Sequence, residues 1–109
     1  MVQIHQSFLR SLHGPIILWL ISLRPRHGYG IMKEIKKLTG RGAGPNTVYP
    51  YLHRLEEEGF IVGEWVEVRG RRVKRYSLTK RGEDLLGRIR ELFRRQIRGL
   101  ITYLLHEGR

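Results

Sequence analysis

Residues 45–58 read PNTVYPYLHRLEEE, and this stretch decides the fold. Val48, Leu52 and Leu55 recur at the spacing of one face of an α-helix, so this face is predicted to be buried against neighbouring helices. The opposite face carries hydrogen-bond donors and a cation on a helix short enough to lie in a DNA major groove. An ordinary amphipathic surface helix is the alternative. The outward residues are Asn46, Pro50, His53, Arg54 and Glu57.

Pro50 breaks the rules of this predicted helix. A proline inside a helix removes a backbone hydrogen bond and collides with the preceding turn, typically at ~3 kcal/mol. The free-energy cost is smaller near a helix start, and functional sites often depart from local sequence preferences. Gly59 stands in the position expected just past a helix end. We therefore expect a helix over residues 45–58 whose polar face is functional.

Two helices are predicted before this stretch. Pro15 suits the first position of a helix that is apolar on nearly every side over residues 16–23, which places it in the core or against a partner subunit. Residues 2–13 form either a short leading helix or an extra turn of the next one. A second helix is predicted over residues 28–38. The glycine-rich loop 40–44 lacks the Lys-Ser/Thr ending of a phosphate-binding loop and is interpreted as a turn.

The periodicity changes after the third helix. Residues 60–68 and 73–79 are rich in β-branched and aromatic side chains and are joined across residues 69–72, which predicts a hairpin. Thr79 can cap a final helix. From Leu85 onward, apolar residues recur every three or four positions. Because one small core cannot cover so long a stripe, it implies a partner helix.

The composition points to a nucleic-acid partner. The chain has 109 residues, enough for one domain, and 21 Lys and Arg against 10 Asp and Glu give a net charge of +11. Residues 69–81 hold seven of these cations and no acid, and such clustering favours a polyanion-binding surface over simple solubility or the Arg-rich composition of heat-stable proteins. Glu56, Glu57 and Glu58 are interpreted as a solvated face, or as charges that orient the protein on DNA.

Other classes of function find little support. The absence of cysteine excludes disulfides, cysteine-based zinc sites and thiol catalysis. His53 and Glu57 are one helical turn apart, but two groups do not make a metal site. No Ser-His-acid grouping can be assembled. The longest apolar run, residues 16–21, is far short of the ~20 residues that span a membrane. We therefore predict a cytoplasmic protein that is not an enzyme and has no metal, cofactor or membrane partner.

The order of elements predicts a winged helix-turn-helix domain, mainly α with a small β-hairpin (α+β), followed by a long C-terminal helix. Residues 1–80 would form the DNA-binding domain, and residues 81–109 the dimerisation helix packed on it. In such a domain the helix 45–58 enters the major groove while the helix 28–38 crosses the backbone. The hairpin tip would reach a neighbouring groove or phosphates.

Four blocks of sequence carry a family resemblance: LHGPIIL at residues 12–18, HGYGI at 27–31, PNTVYPYLHRLEEEG at 45–59 and RYSLTKRG at 75–82. With these blocks the chain resembles the PadR family of transcriptional regulators, short form. The third block, Thr-Val-Tyr-Pro followed by Leu-x-x-Leu-Glu-x-x-Gly, is quite specific. The resemblance covers roughly residues 8–105.

The resemblance implies a homodimeric winged-helix repressor whose C-terminal helix joins the first helix in the dimer interface. It also implies most of the DNA contacts, to which Arg54 is added as a side chain that can reach a phosphate. The predicted DNA-binding residues are Tyr29, Asn46, Thr47, Tyr49, Pro50, His53, Arg54, Arg71, Arg72, Lys74 and Arg75. The predicted dimerisation residues are Trp19, Ile89, Phe93, Ile97, Leu100 and Leu104.

Some positions depart from the family pattern or allow a second interpretation. Gly44 replaces a serine of many relatives, which weakens the expected helix cap. Thr47 could cap the helix locally, and Tyr49 could pack on the second helix instead of donating to a phosphate. The hairpin tip, Arg-Gly-Arg-Arg, is more basic than in typical relatives. Its cations suit phosphates better than bases, because base readout needs fixed geometry; a solvated hairpin is the alternative.

Three hypotheses follow. The first is a sequence-specific dimeric repressor of a palindromic operator in double-stranded DNA. The second keeps the fold but makes the protein a non-selective DNA-coating or RNA-binding protein. The third adds a small-molecule effector that relieves repression, bound where Trp19, Trp65 and Phe93 could line a cavity between subunits.

Overall fold

A computed structural model describes residues 11–106 of the chain. The predicted leading helix therefore lies almost wholly outside the described residues. The elements, in chain order, are α1 (His13–Leu23), β1 (Arg26–His27), α2 (Gly28–Thr39), α3 (Pro45–Glu57), β2 (Ile61–Val68), β3 (Arg71–Leu78), α4 (Lys80–Leu92), a π-helical turn (Phe93–Ile97) and α5 (Arg98–Leu105).

Helix α1 lies at the centre of the core, as its apolar sequence predicts. On α3, Val48 and Leu52 are fully buried and Leu55 is half-buried, so the predicted apolar stripe is confirmed. The polar residues predicted to point outward from α3 are exposed. The core is formed by Ile17, Leu18, Leu20, Ile21, Ile31, Ile35, Val48, Leu52, Ile61, Tyr76 and Leu86, with Ala43 at its edge.

The helix ends follow local chemistry. Helix α1 begins two residues before Pro15, which is tolerated there because the first N–H groups of a helix have no partner within it. His27 caps α2, since its Nδ1 accepts from the Gly30 N–H at 3.2 Å. Gly40 ends α2 in the left-handed conformation (φ 77°) that glycine adopts without strain. Helix α3 follows Gly44, which offers no side-chain cap.

Strands β2 and β3 form an antiparallel hairpin, named here the wing. Val68 pairs with Arg71, so the turn consists of Arg69 and Gly70 alone, both at positive φ (52° and 77°). Such a two-residue turn matches the right-handed twist of the strands. The predicted four-residue connection is therefore wrong by two residues, and Arg71 and Arg72 belong to β3.

A third strand lies between the first two helices, in a part of the chain for which the sequence predicts no element. Arg26 pairs with Tyr76 and His27 with Arg75, giving a sheet of order β1-β3-β2. The predicted fold class, mainly α with a small antiparallel sheet, is confirmed with this addition.

The predicted cap of the last helix is also confirmed. The Thr79 hydroxyl accepts from the Gly82 N–H at 3.1 Å and donates to the Gly59 carbonyl at 2.6 Å, so it joins the start of α4 to the end of α3. Leu86 of α4 is buried in the core. The continuous apolar repeat predicted one long helix, whereas a π-helical turn separates α4 from α5. No residue of α5 is buried.

Candidate nucleic-acid interface

Helix α3 presents its polar face directly to solvent. Asn46, Pro50, His53 and Arg54 are exposed along this face, and Thr47 is half-buried at its edge. A shallow hollow of about 280 Å³ follows the same face and is lined by Asn46, Thr47, Pro50, Tyr51 and Arg54. His53 Nε2 lies 3.4 Å from a Glu57 carboxylate oxygen, and both side chains are exposed. Five of the predicted DNA-binding residues thus share one surface.

Tyr49 packs on the second helix and also reaches solvent. A Cβ atom built on Gly28 would lie 2.6 Å from the Tyr49 hydroxyl oxygen, so the phenol rests against the first turn of α2 where only glycine leaves room. Tyr49 is nevertheless 43% exposed. The packing interpretation of Tyr49 is therefore confirmed, while a hydrogen bond from its hydroxyl to a phosphate remains a prediction.

A hollow of about 410 Å³, named here the junction hollow, separates the helix pair from the wing. Tyr29 and Tyr49 line it from the helix side, and Trp65 and Arg72 line it from the wing side. The Lys33 ammonium lies 5.6 Å from the centre of the exposed Tyr29 ring. The junction hollow therefore brings two tyrosines of the helix pair next to a tryptophan and an arginine of the wing.

The four predicted wing cations are not equivalent. Lys74 Nζ lies 3.0 Å from a Glu56 carboxylate oxygen, and Arg75 Nη2 lies 3.2 Å from a Glu64 carboxylate oxygen. Among residues 11–106, Arg71 and Arg72 form no ion pair with an acidic side chain, and both are exposed. Of these four cations, Arg71 and Arg72 are thus more available to an external anion than Lys74 and Arg75.

The prediction of a solvated face holds for Glu57 and Glu58 but is wrong for Glu56. Its side chain is only 29% exposed and turns toward the wing, while Glu57 and Glu58 are exposed. The sequence held a signal for this, because Glu56 follows Val48 and Leu52 at successive intervals of four residues along the buried stripe. The contact with Lys74, 18 residues away in sequence, had no such signal.

Trp65 and Lys74, the lysine that pairs with Glu56, form a cation–aromatic cluster on the wing. The hydrogen bond to Glu56 raises the pKa of Lys74 above the ordinary lysine value, against a smaller opposing effect of desolvation. Burial raises the pKa of the neighbouring Tyr76 phenol. Lys74 is therefore charged and Tyr76 neutral at physiological pH. Trp65 was considered in the sequence only as a lining of a subunit cavity.

The predicted dimerisation residues lie along α1, α4 and the chain beyond it. Trp19 and Phe93 are 37% and 38% exposed and border an apolar groove of about 230 Å³, which Ile89 also lines. Ile97 is half-buried, and Leu100 and Leu104 are 62% and 79% exposed. Trp65 lies at the junction hollow and does not line this groove of its own chain.

Within residues 11–106, no group of three or more His, Asp and Glu side chains could hold a metal ion. No helix in that range has the length and apolar character required to cross a bilayer.

Comparisons with known proteins agree on one family. The model of the transcriptional regulator PadR-like family matches residues 17–88. The transcriptional regulator Rv3488 of Mycobacterium tuberculosis is 34% identical over 83 residues, which make up 76% of this chain and 64% of that protein. The match therefore spans less than two-thirds of that relative's own length.

Two solved structures show the likeness of the fold. A PadR family transcriptional regulator of Eggerthella lenta superposes with a TM-score of 0.82 at 23% identity, over 97% of this chain and 93% of that one. PadR of Bacillus subtilis, solved in complex with operator DNA, superposes with a TM-score of 0.61 at 24% identity, over 88% of this chain and 48% of that one.

Proposed function

Because the chain belongs to the PadR-like family of transcriptional regulators, we propose that it acts as a homodimeric, sequence-specific DNA-binding repressor. A transcriptional regulator is not an enzyme, in agreement with the sequence prediction. The observation that carries the proposal is the junction hollow, because its walls join the outer face of the helix pair to Arg72 of the wing. A surface of this kind can contact a groove of a DNA duplex and the sugar-phosphate backbone beside that groove at the same time.

In the proposed complex, α3 enters the major groove with its exposed polar face toward the bases. Asn46 and His53 can hydrogen-bond to base edges, and Arg54 suits a phosphate. Arg71 and Arg72 lie beside the sugar-phosphate backbone next to that groove. This arrangement is supported by the exposure of these side chains and by the likeness to Bacillus subtilis PadR, a protein whose structure contains operator DNA. Lys74 and Arg75 contribute positive charge from within their ion pairs.

The dimer part of the proposal rests on apolar surface. Leu100, Ile101, Leu104 and Leu105 are all exposed on α5, and contiguous apolar surface of this kind typically marks an interface. A second copy of the chain is the natural partner, because most soluble oligomers are symmetric dimers. Two-fold symmetry would place the two copies of α3 one helical turn of DNA apart, about 34–36 Å.

Selection of bound DNA from a random pool tests the function. We expect recovery of an inverted repeat whose half-sites are separated by about 10–10.5 base pairs or a multiple of that spacing. The selected site should be preferred over unrelated DNA by about 10³-fold or more at physiological salt. Recovery of no inverted repeat would contradict the proposal. If unrelated DNA or RNA competes equally well, the non-selective coating or RNA-binding function replaces it.

The effector part of the proposal rests on the apolar groove between α1 and α4. Trp19 borders this groove, so its fluorescence should respond to an occupant. In a Trp65→Phe variant, which leaves Trp19 as the single tryptophan, we expect a saturable fluorescence change with some aromatic or cationic compounds. The same compounds should lower the affinity for the selected operator. A flat response across a chemically diverse panel would count against an effector at this groove.

A further inference from the structure

One carboxylate near the end of α3 holds both strands of the wing. One Glu56 oxygen accepts from the Lys74 ammonium of β3 at 3.0 Å, and the other accepts from the backbone N–H of Gly63 in β2 at 3.3 Å. The Glu56 and Lys74 side chains are only 29% and 30% exposed. Partial shielding from water makes such a charged hydrogen bond stronger than an exposed ion pair.

Gly63 lies close to both partners of the Glu56–Lys74 pair. A Cβ atom built on Gly63 would collide with Cε of Lys74 and would lie 3.0 Å from a Glu56 oxygen. A side chain at position 63 would therefore displace the flexible end of Lys74 from its place beside the carboxylate.

The lysine of the Glu56–Lys74 pair also lies close to two aromatic rings of the wing. The Lys74 ammonium lies 5.9 Å from the Trp65 ring centre and 5.7 Å from that of Tyr76, within the range of cation–π attraction. The Arg72 guanidinium lies 5.2 Å from the centre of the same Trp65 ring. A side chain of α3 is thus linked through a lysine and a tryptophan to an arginine that is open to solvent.

We propose that Glu56 is a positioning residue that sets the angle of the wing relative to α3, so that Arg71 and Arg72 meet the DNA backbone while α3 occupies the major groove. The inference rests on the proposed DNA-binding function. Glu56 itself contacts no DNA in this arrangement, because both of its oxygens are engaged within the protein.

The sign of a charge effect separates this role from simple electrostatics. A carboxylate close to a polyanion is repulsive, so its removal should strengthen DNA binding if Glu56 acts only as a charge. If Glu56 positions the wing, its removal should weaken binding. Glu58 directly follows the last residue of α3, carries the same charge and is exposed. It therefore provides a matched control, whereas Glu57 lies beside His53 and does not.

The test compares full-length Glu56→Gln and Glu58→Gln on the selected operator over a range of salt concentrations, with Arg71→Ala/Arg72→Ala as the reference. Loss of two phosphate contacts in that reference should reduce the salt slope by about 1.8, at about 0.9 for each contact. We expect Glu56→Gln to bind about tenfold more weakly, with its slope shifted toward this reference. Glu58→Gln should bind as well as the unmodified protein or more tightly.

A second variant and a readout without DNA complete the test. Gly63→Ala changes no charge but displaces Lys74, so it should reproduce the reduced salt slope. Hydrogen exchange at the Gly63 amide should be faster in Glu56→Gln than in Glu58→Gln. The proposal is overturned if Glu56→Gln binds DNA as tightly as Glu58→Gln, or if its salt slope is that of the unmodified protein. Failure of the unmodified protein to prefer any operator would instead refute the proposed function.

Discussion

Replacement of Leu100 and Leu104 by aspartate is expected to lower the affinity for an inverted-repeat operator by about 10²–10⁴-fold, which is the range typical of lost bivalency. In the isolated subunit both side chains are largely exposed, and they lie four residues apart on one face of α5. Carboxylates at these positions would have to be desolvated in an apolar interface, so the subunits should separate. Each monomer would then bind one half-site of the operator independently of the other monomer.

A matched control places the same two charges elsewhere on the helix. Gly99 and Thr102 are exposed and lie away from the Leu100–Leu104 face, so Gly99→Asp/Thr102→Asp should keep both the dimer and most of the affinity. Sedimentation equilibrium measures the oligomeric state, and titration of the selected operator measures the affinity. A monomeric unmodified protein, or a dimeric Leu100→Asp/Leu104→Asp variant, would contradict this account of the interface.

Alanine at two glycines of α4 is expected to change stability in opposite directions. Gly82→Ala should destabilise the protein by about 3 kcal/mol, the upper part of the usual range for overpacking. A Cβ at Gly82 would collide with the backbone carbonyl oxygen of Phe60 and would lie 2.8 Å from Leu78 Cδ1. That carbonyl accepts from the Thr79 N–H at 3.1 Å, so it cannot move without breaking a hydrogen bond at the start of the helix.

Gly87 provides the opposite case on the same helix. A Cβ at Gly87 meets no other atom within 4 Å, so Gly87→Ala should stabilise the protein by about 0.8–1 kcal/mol through helix propensity. Urea unfolding measures both changes, at one fixed protein concentration because dimerisation adds to apparent stability. A Gly82→Ala variant as stable as Gly87→Ala would show that the contact between α4 and the end of α3 is looser than the structure has it.

The local sequence determined the helices and their exposed faces. Apolar spacing predicted α2 and α3 to within one residue at each end, because a period of 3.6 residues appears directly in the order of side chains. The Thr79 cap was predicted for the same reason, since donor and acceptor lie within one turn of each other. The family blocks, which are also local, predicted the family that the comparisons show.

Only the tertiary structure decided features that depend on residues far apart in the chain. Arg26 and His27 become a strand only because they pair with β3, about 50 residues later in the chain. A sequence of two residues is too short for a pattern that would predict this pairing. The π-helical turn after Leu92 likewise cannot be predicted from an apolar repeat that runs on without interruption. The division of the wing cations into paired and open side chains depends on where Glu56 and Glu64 lie after folding.

The physical reason is the range of the interactions involved. Helix periodicity, caps and turn residues act over a few positions, so the sequence by itself determined which face of α3 is polar and where the helix pair lies. The strength and direction of an ion pair depend on distance and on shielding from water. Folding alone brings the Glu56 carboxylate to Lys74 across 18 positions of sequence, and so the tertiary structure decided which charges remain open to a partner.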